Sequence, residues 1–163
     1  MSSFEQALRV LDEMKADGVI NDYAVAGAMA LLFWVEPIPT YDLDVLVFLP
    51  PDSGPLVSLD SIYRWTEQRH YPVDKEHVII AGLPVQFLPA HNELADEAIE
   101  TAASLIYENV PVRVVRPEYL IALYLEPGAR SAKRLERAAA LRDSDRIDMA
   151  RLQEILKRFK LTF

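Results

Sequence analysis

Residues 41–49, YDLDVLVFL, constrain the fold more than any other stretch. The second half of this run is apolar at successive positions, as in a strand buried on both faces. Such a strand needs helices or further sheet over each of its sides. The first half carries Asp42 and Asp44. Strand side chains at i and i+2 share one face, about 7 Å apart. The two carboxylates therefore project together, while Leu43 and Val45 point the other way. Carboxylates placed side by side repel each other unless they are solvated or share a cation. Oxygen-only ligands with no nearby His or Cys suit Mg2+, which takes one or two carboxylates and keeps waters and substrate phosphates as its other ligands.

The flanking sequence supplies the rest of that sheet. Phe4, Ala7, Leu8, Leu11 and Met14 recur at helical spacing and predict a helix over about 3–16, closed by Asp17-Gly18. Residues 23–25 predict a short strand, and Ala26-Gly27-Ala28 opens a helix to about Trp34. Pro37 and Pro39 end that helix, and the run from Pro50 to Pro55 reads as a loop. Ser58 or Asp60 is placed to cap a helix reaching about Arg69. Val78-Ile79-Ile80 and Val85-Gln86-Phe87 predict a hairpin. Asn92 begins a helix to about Ala103, and another strand falls within 110–115.

The remainder reads as helical. Pro117 suits a first helical position, Pro127-Gly128 is a stop, and Ser131 and Ser144 are caps for two more helices. The expected fold class is α/β (α+β), a small mixed sheet flanked by helices with a helical C-terminal part. The chain is expected to form a single domain over 1–163, with a sheet-containing core over about 1–115 and helices over about 116–163.

Composition narrows the chemistry. The chain has no cysteine, which excludes a disulfide scaffold, a Cys-ligated metal and a thiol nucleophile. The net charge of −8 conceals an asymmetry. Up to residue 112 there are 5 basic and 18 acidic residues, and beyond it 12 basic and 7 acidic. Arg130, Lys133, Arg134 and Arg137 cluster at a predicted helix start. They are either a solvated face or a group that neutralises a triphosphate or reaches a polynucleotide. His70, His77 and His91 show no helical pairing and are expected at surface or loop positions. The first residues contain no apolar signal region, and the apolar run from Tyr23 to Val35 is too short to span a bilayer. A cytoplasmic protein with no membrane segment is the expectation.

Upstream of the carboxylates, Gly27 stands between a predicted strand and a helix start. Unpaired N–H groups at a helix N-terminus bind phosphate, and glycine permits close approach. A phosphate cradle followed by a carboxylate pair is a coherent site for a Mg2+–nucleoside triphosphate.

Val25-Ala26-Gly27-Ala28 followed by Thr40-Tyr41-Asp42-Leu43-Asp44-Val45 resembles the signature of the nucleotidyltransferase superfamily, the group that includes DNA polymerase beta. That signature is a Gly-Gly or Gly-Ser helix start, then Asp-x-Asp or Asp-x-Glu on the next strand. The Thr-x-Asp-apolar-Asp form is similar to small bacterial members, among them toxin–antitoxin nucleotidyltransferases. The resemblance implies Mg2+ on Asp42 and Asp44, and a nucleotide held by Gly27, Ala28, Thr40, Arg130 and Lys133, the last two because small members carry basic residues at that helix start. It implies a reaction in which a nucleoside triphosphate gives up its nucleoside monophosphate to a hydroxyl, with an RNA or protein acceptor reached through the basic C-terminal helices. The strand over 82–89 resembles the one that carries the family's third catalytic carboxylate.

Three positions depart from the pattern. Ala28 stands where the family has Gly or Ser, Gln86 where it has the third carboxylate, and Tyr124 where a nucleotide-contacting Lys is expected. Gln86 can offer a carbonyl but cannot accept a proton. Asp74 and Glu76 lie on the neighbouring predicted strand as possible substitutes. Two readings stay open: an active nucleotidyltransferase, or a catalytically silent binding or regulatory module with the same fold, for example within a toxin–antitoxin pair.

Overall fold

The computed structural model describes residues 1–35, 42–50 and 58–163. Along the chain run α1 (Ser3–Ala16), β1 (Asp22–Ala26), α2 (Gly27–Trp34), β2 (Leu43–Phe48) and α3 (Asp60–Gln68). Then come β3 (Val73–Asp74), β4 (His77–Ile80), β5 (Leu83–Pro89), α4 (Glu93–Glu100), β6 (Ala103–Tyr107) and β7 (Val110–Val114). Three helices follow: α5 (Pro117–Leu125), α6 (Ala132–Arg142) and α7 (Met149–Arg158).

Among the described residues, seven strands form one mixed sheet in the order β3-β4-β5-β2-β1-β7-β6. The aspartate-bearing strand β2 is therefore its middle strand. Leu43, Val45 and Val47 on one face are fully buried, and Leu46 on the other is nearly so. This is the burial expected of a strand without polar alternation. β2 runs antiparallel to β1 and parallel to β5, and β1 runs parallel to β7. α1 packs on β4, β5 and β7, while α2 and α4 pack on β1 and β2.

Two hairpins are closed by residue pairs in the left-handed region, Ala81-Gly82 and Glu108-Asn109. Two-residue turns with both φ positive match the twist of the strands that they join. The second hairpin corrects an expectation: residues 101–103 do not continue the preceding helix. α4 ends at Glu100, and Ala103 opens β6, which pairs with β7 along its whole length. Ser144 is also not a helix cap. Its hydroxyl bonds back to the Leu141 carbonyl, and Asp148 caps α7 through the Arg151 N–H. Asn92 and Ser131 cap α4 and α6 as their residue types predict.

α5 organises the C-terminal part. Eight of its nine residues are buried, so it is apolar almost all round and needs partners on every side. It contacts α2 and α4 toward the sheet and α6 and α7 away from it. Among the described residues, no helix is long and apolar enough to cross a membrane.

Candidate active site

The site begins where β1 ends. The backbone leaves Ala26 extended and turns at Gly27, whose φ is +59°, into the first turn of α2. A Cβ at Gly27 would lie 2.3 Å from Asp44 Oδ2 and 2.9 Å from Asp44 Cγ. The glycine therefore serves two needs: a left-handed backbone and space for a carboxylate. Asp44 sits at the N-terminal end of α2, where no side chain caps the helix. Ala28 follows in that first turn, half-buried.

Asp42 precedes β2 and is exposed, with Oδ2 3.5 Å from His77 Nε2. Burial pushes the Asp44 carboxyl above the ordinary aspartate range, and the neighbouring Asp42 charge adds to this. His77, Arg134 and Arg137 oppose the rise. The two carboxylates thus interact as their i, i+2 spacing requires; the His77 imidazole lies beside Asp42 on the sheet, and Arg134 and Arg137 of α6 act on Asp44.

Strand register places the other candidates. Asp44 pairs with Ala26 on one side and with Gln86 on the other. Gln86 pairs with His77, and His77 with Asp74. Paired residues project to the same face, so one row crosses the sheet from Ala26 to Asp74. Gln86 occupies the lateral position next to Asp44. Asp74 does not substitute for a carboxylate there, because three strand spacings, about 14 Å, separate it from Asp44. Glu76 lies against the far side of the imidazole, with Oε1 3.6 Å from His77 Nδ1. His77 is the member of this row that sequence reasoning missed. It belongs to β4 rather than to a loop, and only the sheet register reveals that it faces the aspartates.

Asp44 and Gly27 form one end of a cavity of about 630 Å³. Leu46, Leu88 and Ala95 supply apolar wall, and Tyr124, Arg134 and Arg137 line it from α5 and α6. Arg134 and Arg137 lie three residues apart on α6, in phase with the buried Ala138 and Leu141. That stripe faces α5 and the cavity. Lys133 is one residue out of phase, exposed, and not part of the cavity wall. Arg130 precedes the helix cap and turns away. Its Nε bonds to the Leu125 carbonyl at 3.0 Å, and Nη2 bonds to the Thr162 carbonyl. Within the basic cluster, Arg134 and Arg137 face the cleft, whereas Arg130 and Lys133 do not line it. Thr40 lies outside the described residues.

Other C-terminal arginines serve the fold. Arg158 Nη2 bonds to Glu97 Oε2 at 2.9 Å, and Arg151 Nη1 lies 3.6 Å from Glu118 Oε1. Arg142 pairs with Asp143 and covers the Phe163 ring. Among the described residues, Arg134 and Arg137 have no carboxylate at ion-pair distance.

The donor set fits a hard divalent cation. Asp42 and Asp44 offer carboxylate oxygens, Gln86 offers a carbonyl oxygen beside them, and the missing Cβ at Gly27 leaves the Asp44 carboxylate room. Among the described residues, no group of three or more His, Asp or Glu side chains converges as a metal cage. Two carboxylates and one carbonyl leave most positions around a six-coordinate ion to other oxygen ligands.

No protein-family model and no curated protein sequence matches the chain. Similarity appears in solved structures. The solution structure of the antibiotic-resistance factor ANT(2'')-Ia superposes with a TM-score of 0.57 at 17% identity, covering 98% of this chain and 93% of that one. The crystal structure of ANT(2'')-Ia in complex with adenylyl-2''-tobramycin gives 0.56 at 13% identity, covering 98% of each chain. The chain has the nucleotidyltransferase fold. An antigenic nucleotidyltransferase-like protein from Paracoccidioides brasiliensis shares it over 84% of this chain and 74% of its own, with a TM-score of 0.55 at 15% identity.

Proposed function

We propose that this nucleotidyltransferase-fold chain binds a Mg2+–nucleoside triphosphate in the cavity and transfers its nucleoside monophosphate to a hydroxyl acceptor. One observation carries the reading: Asp44 is pressed into the Gly27 turn at an uncapped helix N-terminus, at the end of a cavity whose wall carries two arginines that, among the described residues, have no carboxylate at ion-pair distance. Asp42 and Asp44 would hold Mg2+, with Gln86 as a weak third oxygen. The bound ion supplies charge neutralisation for the triphosphate and the leaving pyrophosphate. The Gly27 turn and the Ala28 N–H receive phosphate oxygens at the start of α2. Arg134 and Arg137 balance the remaining negative charge. The acceptor oxygen attacks the α-phosphorus, the bond to the bridging oxygen of pyrophosphate breaks, and the hydroxyl proton passes to solvent or a base. Gln86 takes no proton, so this chain relies on positioning and charge neutralisation more than on a base at that place.

The acceptor we favour is a small hydroxylated molecule. ANT(2'')-Ia has been solved with an adenylylated antibiotic. A cavity of about 630 Å³ suits a small molecule. A polynucleotide acceptor is disfavoured because several C-terminal arginines are already paired internally.

Gln86 favours a second reading, a silent module that binds nucleotide and acts through a partner, as in a toxin–antitoxin pair. Incubation with each of the four α-labelled nucleoside triphosphates, Mg2+ and a panel of hydroxyl acceptors separates the two. The transferase reading predicts labelled product that disappears in Asp44→Ala. Bound nucleotide with no labelled product on any acceptor supports the silent module instead.

A further inference from the structure

Tyr124 holds a polar group that the fold does not use. Only 6% of the residue is exposed and its hydroxyl is enclosed; among the described residues the side chain that bears on it is Arg137, which donates but cannot accept, so the phenol's own proton has no acceptor. A buried donor without an acceptor is costly, and native proteins keep few of them. The ring lies on the cavity wall beside Leu120 and Leu123 of α5. Burial pushes the phenol up from its ordinary value, Arg137 and Arg134 oppose this, and Asp44 adds to it. The hydroxyl thus stays protonated at neutral pH and remains a donor.

We propose that the Tyr124 hydroxyl donates a hydrogen bond to a phosphate oxygen of the bound triphosphate, making Tyr124 a ligand-binding residue for the polyphosphate chain. The inference rests on the nucleotide reading above. Three observations favour phosphate over sugar or base. The two arginines acting on the phenol are those of the cavity wall that have no carboxylate at ion-pair distance among the described residues. Asp44, at the phosphate-binding helix start, is near enough to act on the same phenol. Leu120 and Leu123, its neighbours of α5 on that wall, are apolar and their side chains offer the hydroxyl no acceptor. Because the hydroxyl is enclosed, a ligand reaches it when a neighbouring side chain shifts. Arg137 is long, half-buried and on the same wall, so it can move onto the phosphate as the phenol gains its acceptor.

Tyr124→Phe deletes this donor and leaves the ring in place. Calorimetric titrations of wild type and variant with Mg2+–ATP, Mg2+–tripolyphosphate and adenosine test the role. The expected result is about tenfold weaker binding of both polyphosphates, the effect of one hydrogen bond to a charged acceptor. Adenosine binding stays unchanged, and the ligand-free variant melts at the same temperature or higher. Unchanged polyphosphate affinity overturns the role of Tyr124 while leaving the nucleotide reading intact. A loss confined to adenosine, or a lowered melting temperature, also overturns it, because the hydroxyl would then serve the nucleoside or the fold. Failure of the wild type to bind either polyphosphate overturns both this inference and the nucleotide reading.

Discussion

Arg134 and Arg137 differ from Arg151 and Arg158 in what they face, although all four sit on the C-terminal helices. The first pair looks across the cavity toward Asp44 and acts on its charge. The second pair docks α7 against α5 and α4 through Glu118 and Glu97. Half-exposed Arg158 also reaches Glu154 one turn back along its own helix. Residue type and sequence neighbourhood are the same in both cases. Helix phase decides which arginines are consumed by the fold and which remain for a ligand.

The comparison is broken most severely at its anionic end. Gly27→Ala puts a methyl group into the Asp44 carboxylate and a side chain at φ +59°. The expected cost is about 2–4 kcal/mol of stability, with loss of nucleotide binding. Urea denaturation and calorimetry read the two effects. A stable variant that still binds nucleotide would show that the tight approach of Asp44 has no role.

Removing the arginines should separate the two groups. Arg134→Ala with Arg137→Ala is expected to weaken Mg2+–nucleoside triphosphate binding by about tenfold to a hundredfold with little change in melting temperature. Arg158→Ala should do the reverse: binding unchanged, and stability lower by about 0.5–1 kcal/mol, because the pair is partly exposed to solvent. Equal effects of the two substitutions on binding would erase the distinction.

The smallest effect concerns Glu118. This residue is buried and has one oxygen near Arg151, but among the described residues Oε2 has no hydrogen-bond partner. Burial raises its carboxyl above the ordinary 4.5, and Arg151 offsets only part of that rise. The native state therefore holds this proton more tightly than the unfolded chain does. Stability from this group is fully present below pH 4.5, and it is lost as pH rises through the raised native value. Glu118→Gln should raise the melting temperature at neutral pH by about 2–4 °C and flatten its dependence above pH 4.5. A lower melting temperature at neutral pH would mean that the Arg151 pair outweighs burial.

Much of this fold was legible in the residues. The unbroken apolar run after Asp44 identified the middle strand, and Gly27 marked the turn that the carboxylate later fills. Asn92, Ser131 and Pro117 placed three helix starts, because their side-chain chemistry acts locally. What was not legible depends on partners distant in sequence. His77 joins the carboxylate row only through the pairing of β4 with β5. β6 was hidden because its turn, Glu108-Asn109, contains no glycine. Arg130 looked like a phosphate ligand until the Leu125 and Thr162 carbonyls claimed it. Tyr124 stood out in the sequence only as a residue in the place of an expected lysine; that its hydroxyl is enclosed follows from the packing of α5 and is not legible there.

The central claim is that Asp44, set against the Gly27 turn and opposed by Arg134 and Arg137, forms a metal-dependent nucleotide site. Calorimetric titration of a nucleoside triphosphate into wild type and Asp44→Asn, each with and without Mg2+, tests it most directly. The account predicts saturable binding to the wild type that requires Mg2+ and vanishes in Asp44→Asn, while the variant stays folded and melts no lower than the wild type because a buried charge has been removed. Binding of equal strength in the variant, or in the wild type without Mg2+, would contradict it.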